Sequence, residues 1–126
     1  MAFLGKYQPQ LLSILRIVVG LLFLEHGTMK ILGFPPMTMA VPPEQAAMIM
    51  AAGWIELVGG ALILIGLFSR IAAFVCSGEM AFAYFLGHFP HSPFPAVNGG
   101  DAAILFCFVF LYLAAAGPGP WAVNQR

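Results

Sequence analysis

The sequence predicts an all-α membrane protein, a four-transmembrane-helix antiparallel up-down bundle with a proline-rich outer loop. Of its 126 residues, 61% are hydrophobic and only 8% are charged, and the mean hydropathy is +0.94. Because soluble domains carry about 25% charged residues, this chain has too few to cover a water-facing surface. Segments rich in proline and glycine also divide the apolar sequence into four runs of helical length. Both observations favour a single transmembrane domain over residues 1–126, in contact with a lipid bilayer.

The first predicted span covers residues 11–33. At ~1.5 Å per residue it extends about 34 Å, against a hydrocarbon core of about 30 Å. Pro35 and Pro36 follow the run and end it, since proline cannot continue a helix. A charge near the bilayer centre costs at least ~2.5–3.5 kcal/mol, so we expect the ionisable side chains of this span to face protein or a cavity. These side chains are Arg16, Glu25, His26 and Lys30.

The second predicted span covers residues 46–67 and contains one glutamate. Glu56 lies on the same helical face as Gly53 and Gly60. Glycines at this spacing let a neighbouring helix approach closely, so we expect Glu56 to lie where two helices meet.

The third and fourth predicted spans cover residues 71–87 and 101–116 and are joined by a proline-rich loop. The third span places Glu79 on a face that resembles a buried one. The loop contains three prolines and two histidines and ends in Asn98-Gly99-Gly100, which is typical of a turn. Asp101 suits the first turn of the last helix, where a carboxylate meets unpaired N–H groups.

The few charged loop residues predict an orientation. Lys6, Arg70 and Arg126 fall on one side of a four-span bundle. The positive-inside rule therefore places both termini in the cytoplasm. The balance of five basic and five acidic residues gives no reason to expect a nucleic-acid partner, and a homo-oligomer stays open.

Counting residues from the loops at ~1.5 Å each places a set of polar side chains in the outer half of the bundle. These candidate ligand-binding residues are Glu25, His26, Lys30, Glu56, Glu79, Asn98 and Asp101. We predict that the three glutamates and His26 converge inside the bundle, because a carboxylate that faced lipid would have no partner. Arg16 lies in the inner half, where its long side chain could keep its charge in water.

Two interpretations of this polar cluster are open. It could consist of structural pairs, such as Lys30 with Asp101 or Glu25, that determine which helices are neighbours. It could instead form a ligand pocket, because the three glutamates outnumber the nearby cations and at least one should be protonated or bound to a ligand. In either case we expect residues 89–101 to fold over the open end, bury their apolar side chains and place Asp101 beside Lys30.

Neither a metal site nor a catalytic set is predicted. The three histidines do not occur at the spacing of four residues that ligands on one helix face require, and no HExxH motif is present. His88 and His91 lie in the proline-rich loop.

Three segments carry a resemblance to a known family: EHGTMK at 25–30, WIELVGG at 54–60, and AYFLGHFP with NGGDAAILF between 83 and 106. Together they resemble the DoxX family of small bacterial four-helix integral membrane proteins. The family name comes from a subunit of an archaeal thiosulfate:quinone oxidoreductase. Because members of the family are small bacterial integral membrane proteins, the resemblance implies a multi-pass protein of the bacterial inner membrane. Asp101 is a departure, since relatives usually carry glutamate after NGG.

The resemblance and the polar cluster together suggest three functions. The first is a redox-linked membrane subunit, an oxidoreductase component that binds a quinone or another small apolar ligand in the outer half of the bundle. The second is a non-catalytic scaffold or assembly partner for a soluble redox enzyme. The third is a small proton-coupled carrier, which the lack of a broken span disfavours.

Overall fold

The computed structural model describes residues 1–126, and all of its regular structure is helical. Its four long helices are α1 (Gln8–Leu32), α2 (Ala46–Ile65), α3 (Ser69–Gly87) and α4 (Asp101–Ala116). Four short helical segments accompany them: Ala2–Tyr7, Pro43–Gln45, Phe89–His91 and Pro95–Asn98. The prediction of an all-helical chain is confirmed.

Three observed helix ends differ by two or three residues from the predicted spans, and residues at these ends explain the differences. α1 begins at Gln8, before the predicted 11, because Pro9 is tolerated in a first turn. α2 ends at Ile65, because Gly66 adopts a left-handed conformation with φ of 76° that caps the helix. The short loop that follows lets α3 begin at Ser69, two residues before the predicted start.

Three helical segments are long and apolar enough to cross a membrane: Ala2–Leu32, Pro43–Ile65 and Ser69–His91. The fourth apolar helix, Asp101–Ala116, has 16 residues and extends about 24 Å. These three or four apolar helices are compatible with a helical bundle in a membrane.

Glycines bring α1 and α2 into close contact. Cβ atoms added at Gly20 and Gly60 would lie 2.9 Å from the backbone nitrogen of Leu64 and 2.8 Å from Cα of Leu24, respectively. Because residue numbers increase along one helix as they decrease along the other, the two helices run in opposite directions. Such backbone contact replaces side-chain interdigitation and gains dispersion energy in an apolar solvent.

α3 packs along α4 in the same opposed manner. The Ser77 hydroxyl donates to the Cys107 carbonyl at 2.7 Å, and Gly100 lies against the Tyr84 ring. Between α1 and α4, the rings of Phe23 and Phe110 meet edge-on with centroids 4.8 Å apart. α1 thus lies beside both α2 and α4, and α3 lies beside α4.

The C-terminal tail, residues 117–126, folds back across one end of the bundle. The Arg16 side chain is only 1% exposed, and its guanidinium donates to the Pro118 carbonyl and, at 2.6 Å, to the Trp121 carbonyl. Arg70 donates to the Ala115 carbonyl at 2.7 Å. The expectation that Arg16 reaches water is wrong, because carbonyls of the tail accept its hydrogen bonds first.

Candidate functional site

A cavity of about 860 Å³ lies among the four long helices, towards the end of the bundle opposite the C-terminal tail. Its wall is mostly apolar and comes from all four helices and the loop before α4. α2 and α3 meet closely where Gly59 faces the Cys76 sulfur, and the cavity lies between them beyond that point. The polar side chains that reach it from α1, α2 and α3 are His26, Lys30, Glu56 and Glu79.

Lys30 and Glu56 form an ion pair at the cavity wall. Lys30 Nζ lies 2.6 Å from Glu56 Oε1, and the two side chains are 18% and 2% exposed, respectively. A Cβ added at Gly53 would lie 2.8 Å from Cβ of Lys30. The missing side chain at this glycine therefore lets the lysine stem cross α2 and reach the next turn.

The predicted pairing of Lys30 with Asp101 is wrong. Asp101 is exposed at the start of α4, and its side chain does not line the cavity. Lys30 pairs with Glu56 because α1 packs closely on α2, which places Glu56 next to the lysine, whereas Asp101 lies on the more distant α4. The prediction that Glu56 lies where two helices meet agrees with this geometry.

Glu79 is the unsatisfied group of the site. Both carboxyl oxygens are buried and have no hydrogen-bond partner within the chain. The only nearby ammonium at the cavity wall, that of Lys30, is already bonded to Glu56. The Glu56 carboxyl lies close to Glu79 but is bonded to Lys30. A buried polar group without a donor is costly, so a donor from outside the chain would stabilise Glu79.

Histidines border the cavity at two levels. The His26 ring lies edge-on to Phe106 with centroids 5.9 Å apart, and His26 is exposed at the surface while it borders the cavity, so it does not lie inside the bundle as predicted. His88 and His91 also contribute to the wall, and His88 Nδ1 lies 3.0 Å from the Asn98 carbonyl oxygen. These two histidines were absent from the predicted set, because a proline-rich loop gives no periodicity from which to infer direction.

The predicted convergence fails for Glu25. Its side chain is exposed on α1 and does not line the cavity, although His26 beside it does. Successive helical residues differ by about 100° in direction, so the two neighbours face different surroundings.

Asn98 shapes the loop instead of lining the cavity. Its amide donates to the Ser92 carbonyl at 2.8 Å and to the Tyr84 hydroxyl at 3.2 Å, and its side-chain oxygen accepts from the Gly100 N–H. The expected burial of the loop's apolar side chains is wrong: Phe94 is 66% exposed and Val97 is 74% exposed. The loop nevertheless reaches the cavity rim through His88, His91 and Gly99.

Comparison with known sequences identifies the family. Residues 11–89 match the DoxX family profile, which is more than half of the chain. The chain belongs to the DoxX family. An uncharacterized protein of Haemophilus influenzae is 44% identical over 127 residues, which cover 98% of this chain and 95% of the relative. No solved structure matches the chain.

The DoxX match includes the ionisable residues of the cavity that lie on the first three helices. Lys30, Glu56 and Glu79 all fall within residues 11–89. α4 and the C-terminal tail lie beyond the matched segment, although Phe106 of α4 completes the cavity wall. The protein is thus a DoxX family membrane protein whose matched region carries the polar part of the cavity.

Proposed function

We propose that this protein is a redox-linked membrane subunit that binds a quinone, or another small ligand with an apolar body and a polar end, in the cavity. The observation that carries the proposal is Glu79, whose carboxyl accepts no hydrogen bond within the chain and borders a cavity with a mostly apolar wall. A ligand carbonyl or hydroxyl would satisfy that carboxyl, and the apolar wall would hold the ring and tail. The cavity's 860 Å³ lies within the ~300–1,000 Å³ typical of small-molecule sites.

The Lys30–Glu56 pair supports a neutral ligand. The pair neutralises its own charges, which leaves Glu79 as the carboxyl available for an incoming group. A carboxylic acid can donate one hydrogen bond and accept another, which suits a carbonyl, a hydroxyl or both oxidation states of a quinone.

Access from the lipid is supported by side chains that are exposed and also line the cavity. Val75 and Phe82 of α3 are 50% and 71% exposed, and Ile55 of α2 is exposed as well. The cavity therefore opens between α2 and α3, at a surface that would face acyl chains. A lipid-soluble ligand would enter sideways without crossing water.

The proposal includes an orientation in the bacterial inner membrane. We place both termini in the cytoplasm and the four helices in up-down order, supported by Lys6, Arg70 and Arg126 at one end. The cavity then lies in the outer half of the membrane. α4 is short for a full span, so we expect local thinning or partial burial of its ends.

Ligand retention tests the proposal. Detergent-purified protein is incubated with decylubiquinone, passed over a desalting column and extracted for mass spectrometry. We expect wild type to retain the quinone and Glu79→Leu to retain about tenfold less, since a quinone oxygen left buried without its hydrogen bond costs about 1–3 kcal/mol. Glu79→Gln should retain an intermediate amount, and Asp101→Asn, outside the cavity, should match wild type.

Two results would reject the ligand site. One is a wild-type protein that retains no quinone or other co-purified small molecule. The other is equal retention by wild type and Glu79→Leu, which would assign the bound quinone to the detergent micelle.

A non-catalytic scaffold is the second candidate, and the Lys30–Glu56 pair favours it. That pair ties α1 to α2 without any ligand, as expected of a polar group that determines helix neighbours. A stable complex with a soluble redox enzyme, formed equally well by wild type and Glu79→Leu, would support the scaffold. A proton-coupled carrier would additionally have to release the C-terminal tail from Arg16 to open the other end.

A further inference from the structure

A continuous exposed stripe runs along α1 on the side away from the cavity. Its members recur at alternating intervals of four and three residues, which places them on one face of the helix. The stripe consists of Ile14, Val18, Leu21, Glu25, Thr28 and Leu32. All are exposed except Thr28, which is half-buried. The opposite stripe of α1 packs inside the bundle through Gly20, Phe23 and Gly27.

The Glu25 carboxyl would be energetically unfavourable on a surface that faces lipid. It lies seven residues before the end of α1 at Leu32, about 10 Å along the helix axis. A glutamate side chain is too short to reach the interface from that depth, unlike the long stems of lysine and arginine. Its carboxyl makes no ion pair or hydrogen bond within the chain, and the bilayer offers no donor.

We propose that this stripe is the contact between two copies of the chain, with α1 packed in parallel against α1 of a second copy. A two-fold axis along the membrane normal places residues of equal number at equal depth. Glu25 of one copy then meets Glu25 of the other, and the two carboxyls share a proton in a hydrogen bond. Thr28 lies one helical turn after Glu25, and its hydroxyl donates to the Glu25 backbone carbonyl at 3.0 Å. The hydroxyl oxygen can still accept a hydrogen bond from the second copy.

Self-association is favoured over a different partner because symmetry supplies the missing group. A foreign helix would need its own donor at the depth of Glu25 and apolar side chains in matching register. A second copy provides both with the same residues. A polar residue at a single position of such a stripe also sets the register and the number of helices. The contact lies away from the cavity and does not depend on the ligand proposed above.

Disulfide cross-linking in proteoliposomes tests the geometry. The two native cysteines, which are free, are first replaced with alanine. Single cysteines are then placed at Val18 and Leu21 on the stripe, and at Ile71 as a control on α3, which is also exposed and lies at a similar level of the bundle. We expect at least fivefold more cross-linked dimer from the two stripe positions than from Ile71. Equal yields at all three positions, or no dimer at any, would overturn the proposed contact.

The role of Glu25 is tested by resonance energy transfer between labelled copies over a range of protein-to-lipid ratios. We expect Glu25→Leu to weaken dimerisation about tenfold, while Glu25→Gln, which can still hydrogen-bond across the contact, stays within about threefold of wild type. Glu25→Leu that dimerises as well as wild type would overturn the proposed pairing. A wild-type protein that stays monomeric at every ratio would overturn the whole inference.

Discussion

Lys30→Met and Glu56→Gln each break the Lys30–Glu56 ion pair, and we expect them to lower the free energy of unfolding by different amounts. Lys30→Met removes the cation and leaves the Glu56 side chain, which is 2% exposed, without a partner. Removing one member of a buried pair costs about 3–5 kcal/mol. Because the Glu56 side chain borders the cavity and has room to turn into it, we expect a loss near the lower limit, about 3 kcal/mol.

Glu56→Gln should cost less, about 1–2 kcal/mol. The amide oxygen still accepts from the Lys30 ammonium, and the partly exposed lysine can turn towards the loops. The double variant Lys30→Met/Glu56→Gln has no charge left in the cavity wall at this point. It should therefore be more stable than Lys30→Met alone, by about 1 kcal/mol or more.

The assay is reversible unfolding in mixed micelles, with helicity followed by circular dichroism as the fraction of sodium dodecyl sulfate rises. Lys6→Met is the matched control, since Lys6 is exposed and lies only over the Tyr7 ring. Strictly additive losses in the double variant would refute the reasoning, because they would mean that the two side chains do not interact. Equal losses from both single variants would refute the asymmetry argued from exposure.

Three further predictions concern other parts of the chain. Gly27→Ala should lower the free energy of unfolding by about 1–3 kcal/mol in the same assay, because a Cβ there would strike the backbone of α2, whereas Gly87→Ala, which has open space, should have little effect. Arg16→Met should speed carboxypeptidase digestion of residues 117–126 at least tenfold, and an unchanged digestion rate would show that the guanidinium does not hold the tail. Ser92→Cys should react with an impermeant maleimide added to intact cells while a cysteine added at the C-terminus should not, and the reverse labelling pattern would invert the proposed orientation.

Much of the architecture could be predicted because it depends on order along the chain. Apolar runs separated by proline and glycine predict helices wherever they occur, so the all-helical class and the approximate helix positions follow from the sequence. The placement of Glu56 between two helices could also be predicted, since Gly53 and Gly60 on its face mark a close approach.

Pairing between helices could not be predicted in the same way. A helical wheel gives the angle between residues on one helix, but not the rotation or axial shift of one helix against another. Lys30 pairs with Glu56 and not with Asp101, because the glycine contacts between α1 and α2 determine the axial shift between those two helices.

The burial of Arg16 and Glu25 could not be predicted from the sequence either: Arg16 was expected to reach water and is buried, whereas Glu25 was expected inside and is exposed. The tail beyond α4 has no periodicity to indicate its path, yet it returns to bury the Arg16 guanidinium against its carbonyls. Glu25 was expected inside with the other glutamates, but the face that packs on α2 leaves it outside. The sequence by itself determined which segments are helical and which side chains are too polar for lipid. Only the tertiary structure decided which of them meet, because that depends on how neighbouring helices are rotated and shifted when their glycines come into contact.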